Sequence, residues 1–310
     1  RYRASNYLTI EAQGKDEYRD LRRAGDRIAH LMGALLIKRL ESSIAAFRST
    51  LQVLINSNRN FKQALQDGFV PIGATATRML AGETFNAEDL LEVLTQEEKR
   101  RKEKGVIRST LVHASSDFDV DQWIEDLDSD HTILNNVAIR VSDIKPEDDD
   151  KLQVLKQFLA RHDVASGKIL IFSEAATTVD YLFENLNAGG KDPSIAKLSG
   201  GSGSTTATIV KRFAPKSNLK EKERIPGSEI KMLIATDVIS EGQNLQDCAR
   251  VLNYDLHWNP VRLVQRFGRV DRIGSEHETI FLQNMWPDTA IDSALDLTDR
   301  LINRIQAFHD

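Results

Sequence analysis

Between residues 151 and 310, short apolar runs alternate with amphipathic stretches, and this alternation limits the possible folds more than any other feature. The runs are "KILIF" at 168–172, "IAKL" at 195–198, "KMLIA" at 231–235, "RVLNYD" at 250–255 and "TIFLQN" at 279–284. Each is rich in strand-forming residues and too short for a core helix. Helical spacing of apolar residues marks 151–162, 175–187, 204–213, a short stretch near 238–242, a segment opening at Asn259-Pro260, and 289–308. Strands separated by helices imply βαβ units, so the expected fold over 146–310 is α/β, a parallel sheet covered by helices on both faces. Ligands of such sheets collect beyond the carboxyl ends of the strands. Ser173, Thr236, Asp237 and Asp255 all fall just past strand ends, so one edge of the sheet gathers the chemistry.

The segment "QRFGRVDRIG" at 265–274 places three arginines within ten residues of a chain whose net charge is −5. Asn259 is a good N-cap, and Pro260 suits the first helical position because its missing N–H has no helical partner there. Counted at helical spacing, Arg262, Gln265, Arg269 and Arg272 share one stripe, while Leu263, Phe267 and Val270 share another that can face a core. On charge content alone, a solvated arginine face would explain the pattern. A row of forked donors beside a glutamine also fits a phosphate ester, whose charge is spread over several oxygens. Gly268 inside the pattern points to a close backbone approach or to a helix end near Arg269.

Residues 1–145 read differently. From about Lys15 to Leu65, apolar residues such as Leu31, Leu35, Leu40, Ile44, Phe47 and Leu51 recur at three and four, which predicts a long amphipathic helix or an antiparallel pair. Lys38, Arg39 and Arg48 fall on its polar side, where solvation or contact with a phosphate backbone would suit them. "GFVPIGATATRMLAG" reads as a loop and 86–104 as an exposed helix laced with opposite charges. "DFDVDQWIEDLDSDH" reads as an acidic helix or surface segment, since it lacks the glycine and terminal glutamate of a calcium loop. The expected organisation is a mainly helical region over 1–145 followed by the α/β lobe over 146–310.

Composition excludes several classes. No apolar run approaches the roughly 18–20 residues that span a bilayer, so no membrane partner is expected. A single cysteine, Cys248, rules out an internal disulfide and a multi-cysteine metal site, and it fits a reducing, cytoplasmic setting. Charge is uneven: residues 1–65 carry 12 Lys/Arg against 6 Asp/Glu, and residues 86–150 carry 8 against 18. A weakly acidic total is therefore compatible with a local nucleic-acid surface. The chain opens on Arg, which points to a piece of a longer polypeptide.

Over roughly 150–286 the chain resembles lobe two of a superfamily-two helicase, in the Swi/Snf-like branch of DNA translocases. "KILIFSEAATTVDYL" is similar to motif four and "KLSGGSGSTTATIVKRF" to the segment after it. "MLIATDVISEGQNL" is similar to motif five, and "LNYDLHWNPVRLVQRFGRVDRIG" to the Asp-Trp-Asn-Pro element followed by motif six. Four such matches in order, each in its βα setting, are far more specific than one. "LLIKRLESS" is similar to an arginine-bearing segment that precedes lobe two in several members. Val270-Asp271 before Arg272 is at home in the Swi/Snf-like branch, whereas many helicases have a small residue and glycine there.

The resemblance implies a role for each matching residue. Arg269 and Arg272 would be arginine fingers reaching a γ-phosphate, with Gln265 orienting groups beside it. Asp237, Glu241 and Gly242 would couple the nucleotide cleft to the nucleic-acid track. Ser173, Gly200 and Thr236 would donate to the sugar-phosphate backbone, a contact that positions a strand without reading its sequence. ATP and Mg2+ would be cofactors of the complete enzyme, bound mainly by a lobe one of the same polypeptide, and double-stranded DNA would be the polymer. No GxxxxGK[ST] phosphate loop occurs in these 310 residues, so this chain alone is expected to hold no cofactor and to be a poor ATPase, unless it is a silent binding module built on the same lobe.

Overall fold

The computed structural model describes residues 4–15, 18, 33–105, 110–200, 203–220, 223–240, 244–257, 259–271 and 275–295. The chain divides into two units. One comprises residues 1–36 and 48–143, and the other residues 37–47 and 144–310. The divide thus differs from a single boundary near 145, because residues 37–47 go with the later unit.

In the first unit, β1 (Phe69–Pro71) pairs antiparallel with β2 (Val112–Ala114). The stretch read as a loop is therefore a strand followed by a helix, Ala74–Leu80. Its strand was illegible because the pairing partner lies far away in sequence, and Pro71 masks a run of only three residues. Gly68 and Gly73, at φ 90° and 103°, make the turns that bracket the strand, a conformation other residues rarely adopt. The helix Ala87–Glu103 is capped by Asn86, whose side chain accepts from Glu88 N at 2.8 Å. The acidic stretch forms the helix Val120–Ser142 and buries Trp123 and Leu127. The Tyr7 ring stacks on Trp123 at 4.5 Å in a core shared with Tyr18, Leu65 and Phe118. No cluster able to hold a metal ion occurs among the described residues.

The second unit contains the expected sheet. Its strands are β3 (Ile169–Phe172), β4 (Ile195–Leu198), β5 (Met232–Ala235), β6 (Arg250–Asn253) and β7 (Phe281–Asn284). They run parallel in the order β4-β5-β3-β6-β7. Side-chain alternation splits the sheet's apolar residues between two cores. Leu170, Phe172, Leu233, Ala235 and Val251 pack on one face with Phe213 and Val270. Ile169, Ile171, Ile234 and Leu252 pack on the other with Leu152, Leu155, Val179 and Leu182. Every residue of β3 is buried, as a central parallel strand covered on both faces requires. The flanking helices are Asp150–Leu159, Ala176–Leu186, Gly203–Phe213, Pro260–Phe267 and Thr289–Leu295. The part of the expected terminal helix beyond 295 lies outside the described residues. No helix among the described residues is long and apolar enough to cross a membrane.

Candidate nucleotide and nucleic-acid site

Strand register sets the site. Phe172 stands opposite both Ala235 and Asn253, and Ala235 opposite Leu198. The next residues of each strand therefore emerge side by side at the carboxyl edge: Ser173 and Glu174, Ser199, Thr236 and Asp237, then Tyr254 and Asp255. An open cleft of about 690 Å3 lies there, lined by Glu174, Ala176, Ser199, Thr236, Asp237, Val238, His257 and Arg262.

The arginine helix begins as its residues dictate. Asn259 caps it by accepting from Val261 N at 3.1 Å, and Pro260 follows at the first helical position. It ends at Phe267, with Gly268 at the cap. The four-residue polar stripe is therefore not carried by one helix: Arg262 and Gln265 are exposed on it, and Arg269 sits on the turn beyond it. Arg272 lies outside the described residues. Val270 is wholly buried and Arg269 O accepts from Leu245 N at 3.2 Å, which holds that turn in place.

Arg266 occupies the middle of the buried face, between Leu263 and Val270, and is completely buried. Its Nε donates to Asp237 Oδ1 at 2.6 Å, and Nη2 donates to Oδ2 at 3.0 Å. Nη1 donates to Asn253 Oδ1 at 2.9 Å, and the guanidinium lies 5.0 Å over the Phe172 ring. A planar fork suits this two-pronged pairing and stacking in a way that an ammonium would not. Arg262 adds a looser contact, 3.9 Å from Asp237 Oδ2. Asp237 thus ties the end of β5 to the arginine helix. Glu241 and Gly242, grouped with it on sequence grounds, lie outside the described residues.

A second knot centres on Asp255, also completely buried. Its Oδ2 accepts from Ser173 Oγ at 2.5 Å and Ser42 Oγ at 2.6 Å, and its Oδ1 accepts from Glu174 N at 2.8 Å. Burial pushes its carboxyl up, but Lys38, Lys151 and these hydroxyls outweigh that and hold it below the usual carboxylate range. Ser42 and Ser43 both share hydrogen bonds of 2.7 Å with Thr178 Oγ1. Lys38 is not on an exposed basic face: it is buried, pairs with Glu41 at 2.8 Å and donates to Leu256 O. Arg48, in the other unit, donates to Val141 O at 2.8 Å.

Of the three residues expected to donate to a phosphate backbone, Ser173 does not reach the cleft. Its amide donates to Ala235 O and its hydroxyl to Asp255, so both of its donors are spent inside. Gly200 is exposed on the bend after β4, with open space where a side chain would project. Thr236 lines the cleft, and its buried Oγ1 has no hydrogen-bond partner among the described residues. Sequence reasoning passed over Arg266, Glu174 and His257. Arg266 was detectable by its place three residues after Leu263 and four before Val270, on the apolar stripe.

Residues 150–274 match the helicase conserved C-terminal domain. An uncharacterized ATP-dependent helicase, YqhH of Bacillus subtilis (strain 168), is 51% identical over 57 residues, which is 18% of this chain and 10% of that protein. The RNA polymerase-associated protein RapA of Yersinia pestis (strain Pestoides F) is 39% identical over 59 residues, 19% of this chain and 6% of RapA. The chain thus aligns with only a small share of either relative's length. The C-terminal part of the Fun30 ATPase domain aligns with 82% of this chain and 85% of that chain at a TM-score of 0.39 and 16% identity, a likeness too loose to carry weight.

Proposed function

We propose that the chain, whose residues 150–274 match the helicase conserved C-terminal domain, serves as the arginine-bearing C-terminal lobe of an ATP-dependent DNA translocase of the Swi/Snf-like branch of superfamily two. One observation carries this reading. The buried Arg266–Asp237 pair fixes the helix and turn that bear Gln265 and Arg269 to the end of β5, beside the cleft at the carboxyl edge. A stripe of donors anchored in this way is preorganised for charge on a transferring phosphoryl group.

In this reading Arg269 and Arg272 donate to the γ-phosphate of ATP·Mg2+ held mainly by a lobe one outside this chain, and Gln265 orients groups beside it. When bound, the nucleotide supplies the phosphoanhydride whose cleavage drives the motor. Planar guanidinium and amide donors beside an exposed helix face fit a triphosphate presented from outside the chain. Asp237, Glu241 and Gly242 couple that end of the lobe to the track. Thr236 and Gly200 face the backbone of double-stranded DNA in the cleft, and Ser173 supports them from beneath through Asp255.

The test is DNA-stimulated ATP hydrolysis by a polypeptide that joins this chain to its lobe one. Arg269→Ala should slow it by about 10³-fold or more, as loss of an arginine finger does. Retention of more than about a tenth of the rate would instead favour a silent binding module built on the same lobe.

A further inference from the structure

The cleft has features that suit an anion, yet two of its lining residues carry carboxyls: Asp237, which is paired with Arg266, and Glu174. The helix Ala176–Leu186 points its N-terminus into the cleft at Ala176 and has no side-chain cap. The positive end of a helix favours a phosphate there. Thr236, only 7% exposed, lines the same space and has a buried hydroxyl with no hydrogen-bond partner among the described residues, and Arg262 adds a cation. Glu174 stands among them, and its buried Oε1 has no hydrogen-bond partner among the described residues.

The charged groups around Glu174 pull in both directions, Lys38 and Arg266 favouring its ionised form and Asp255 and Glu41 opposing it, and burial outweighs them. From the helix at 33–42 it meets Lys38 and Glu41, but Lys38 is committed to Glu41 and Leu256 O. From the arginine helix it meets Arg266, committed to Asp237 and Asn253. Beyond β6 lies Asp255, a like charge. His257 Nε2 is 3.8 Å from Glu174 Oε1, too far for a hydrogen bond. His257 Nδ1 accepts from Asn259 N at 2.8 Å, so the ring is held as a neutral imidazole with its proton on Nε2.

Taking this cleft as the nucleic-acid track, we propose that Glu174 meets the strand as a carboxylic acid, its hydroxyl donating to a phosphodiester oxygen, so that binding of the backbone takes up one proton. The phosphate gives the Glu174 side chain, 23% exposed, a partner on its cleft side. Loss of the proton replaces a donor with a negative charge facing a polyanion. Burial, the largest influence, already pushes the Glu174 carboxyl up to about 7, which places the change near neutral pH.

The experiment is a binding titration of this chain with a rhodamine-labelled duplex oligonucleotide at constant ionic strength, from about pH 6 to about pH 8.5. The wild-type Kd should be level at the acid end and rise about tenfold per pH unit above neutrality, the signature of one linked proton. Glu174→Gln, which donates but cannot ionise, should keep the acid-end affinity across the range. His257→Gln should retain the wild-type slope. A level wild-type profile with measurable binding overturns the proton linkage while leaving the track in place. An undiminished slope in Glu174→Gln overturns it too, by moving the proton elsewhere. Absence of binding by wild type and Glu174→Gln alike at every pH overturns both the track and the proposal.

Discussion

Arg266 and Asp237, 29 residues apart in sequence, meet through two parallel hydrogen bonds of 2.6 and 3.0 Å in the interior of the lobe. An arginine at the centre of an otherwise apolar face is tolerated because each of its three nitrogens finds an acceptor: Asp237 on one side, Asn253 and Asp255 O on the other. The pair links the strand end that supplies Thr236 to the helix that supplies Gln265.

Removing one partner should therefore cost far more than removing both. Asp237→Ala leaves a buried cation without its counter-charge and should destabilise the chain by about 3–5 kcal/mol in urea unfolding. The double replacement Arg266→Met with Asp237→Leu should recover most of that loss. A loss below about 1 kcal/mol in the single variant would mean that the guanidinium is satisfied without Asp237.

Asp255 should shape the acid limb of stability. Its folded carboxyl lies below its ordinary range, so its contribution is complete above the unfolded value of about 4 and is lost as pH falls through the folded value. Asp255→Asn should lower stability at neutral pH by about 2–4 kcal/mol and flatten the acid transition. Denaturation midpoints followed from neutral pH downward provide the measurement, and parallel acid limbs in the two proteins would count against the assignment.

Glu174 should act in the opposite sense. Its folded value, about 7, lies above the ordinary 4.5, so the folded state holds its proton more tightly than the unfolded chain does. Stability then falls as pH rises between those values. Glu174→Gln should raise stability at neutral pH, on the order of 1–3 kcal/mol, with little gain near pH 4. Equal gains at both pH values would point to packing as the cause.

Cys248 should be inert while the chain is folded. It is completely buried, and burial pushes its thiol up to about 12, so almost no thiolate exists at neutral pH. Labelling by an aromatic disulfide reagent should follow global unfolding, with a rate that rises steeply in urea. Fast labelling in buffer would show that the face of the sheet around Cys248 opens locally.

The five strands of the parallel sheet, the helices between them and the start of the arginine helix were legible in the residues alone. Those features depend on interactions within a few residues: alternation of apolar runs with helical spacing, and Asn-Pro as a cap and first turn. Tertiary structure decided where the polar side chains went. Helical spacing puts Arg266 on the apolar stripe between Leu263 and Val270, but only the folded lobe shows it sealed against Asp237 while Arg262 lies open. Lys38 reads as a polar-face residue of an amphipathic helix until Leu256, more than two hundred residues further on, supplies its partner, and Ser42 likewise meets Asp255 only in the folded lobe. Ser173 turned inward for the same reason. A polar group can be buried only where distant elements complete its hydrogen bonds, and those elements meet only after the sheet has assembled.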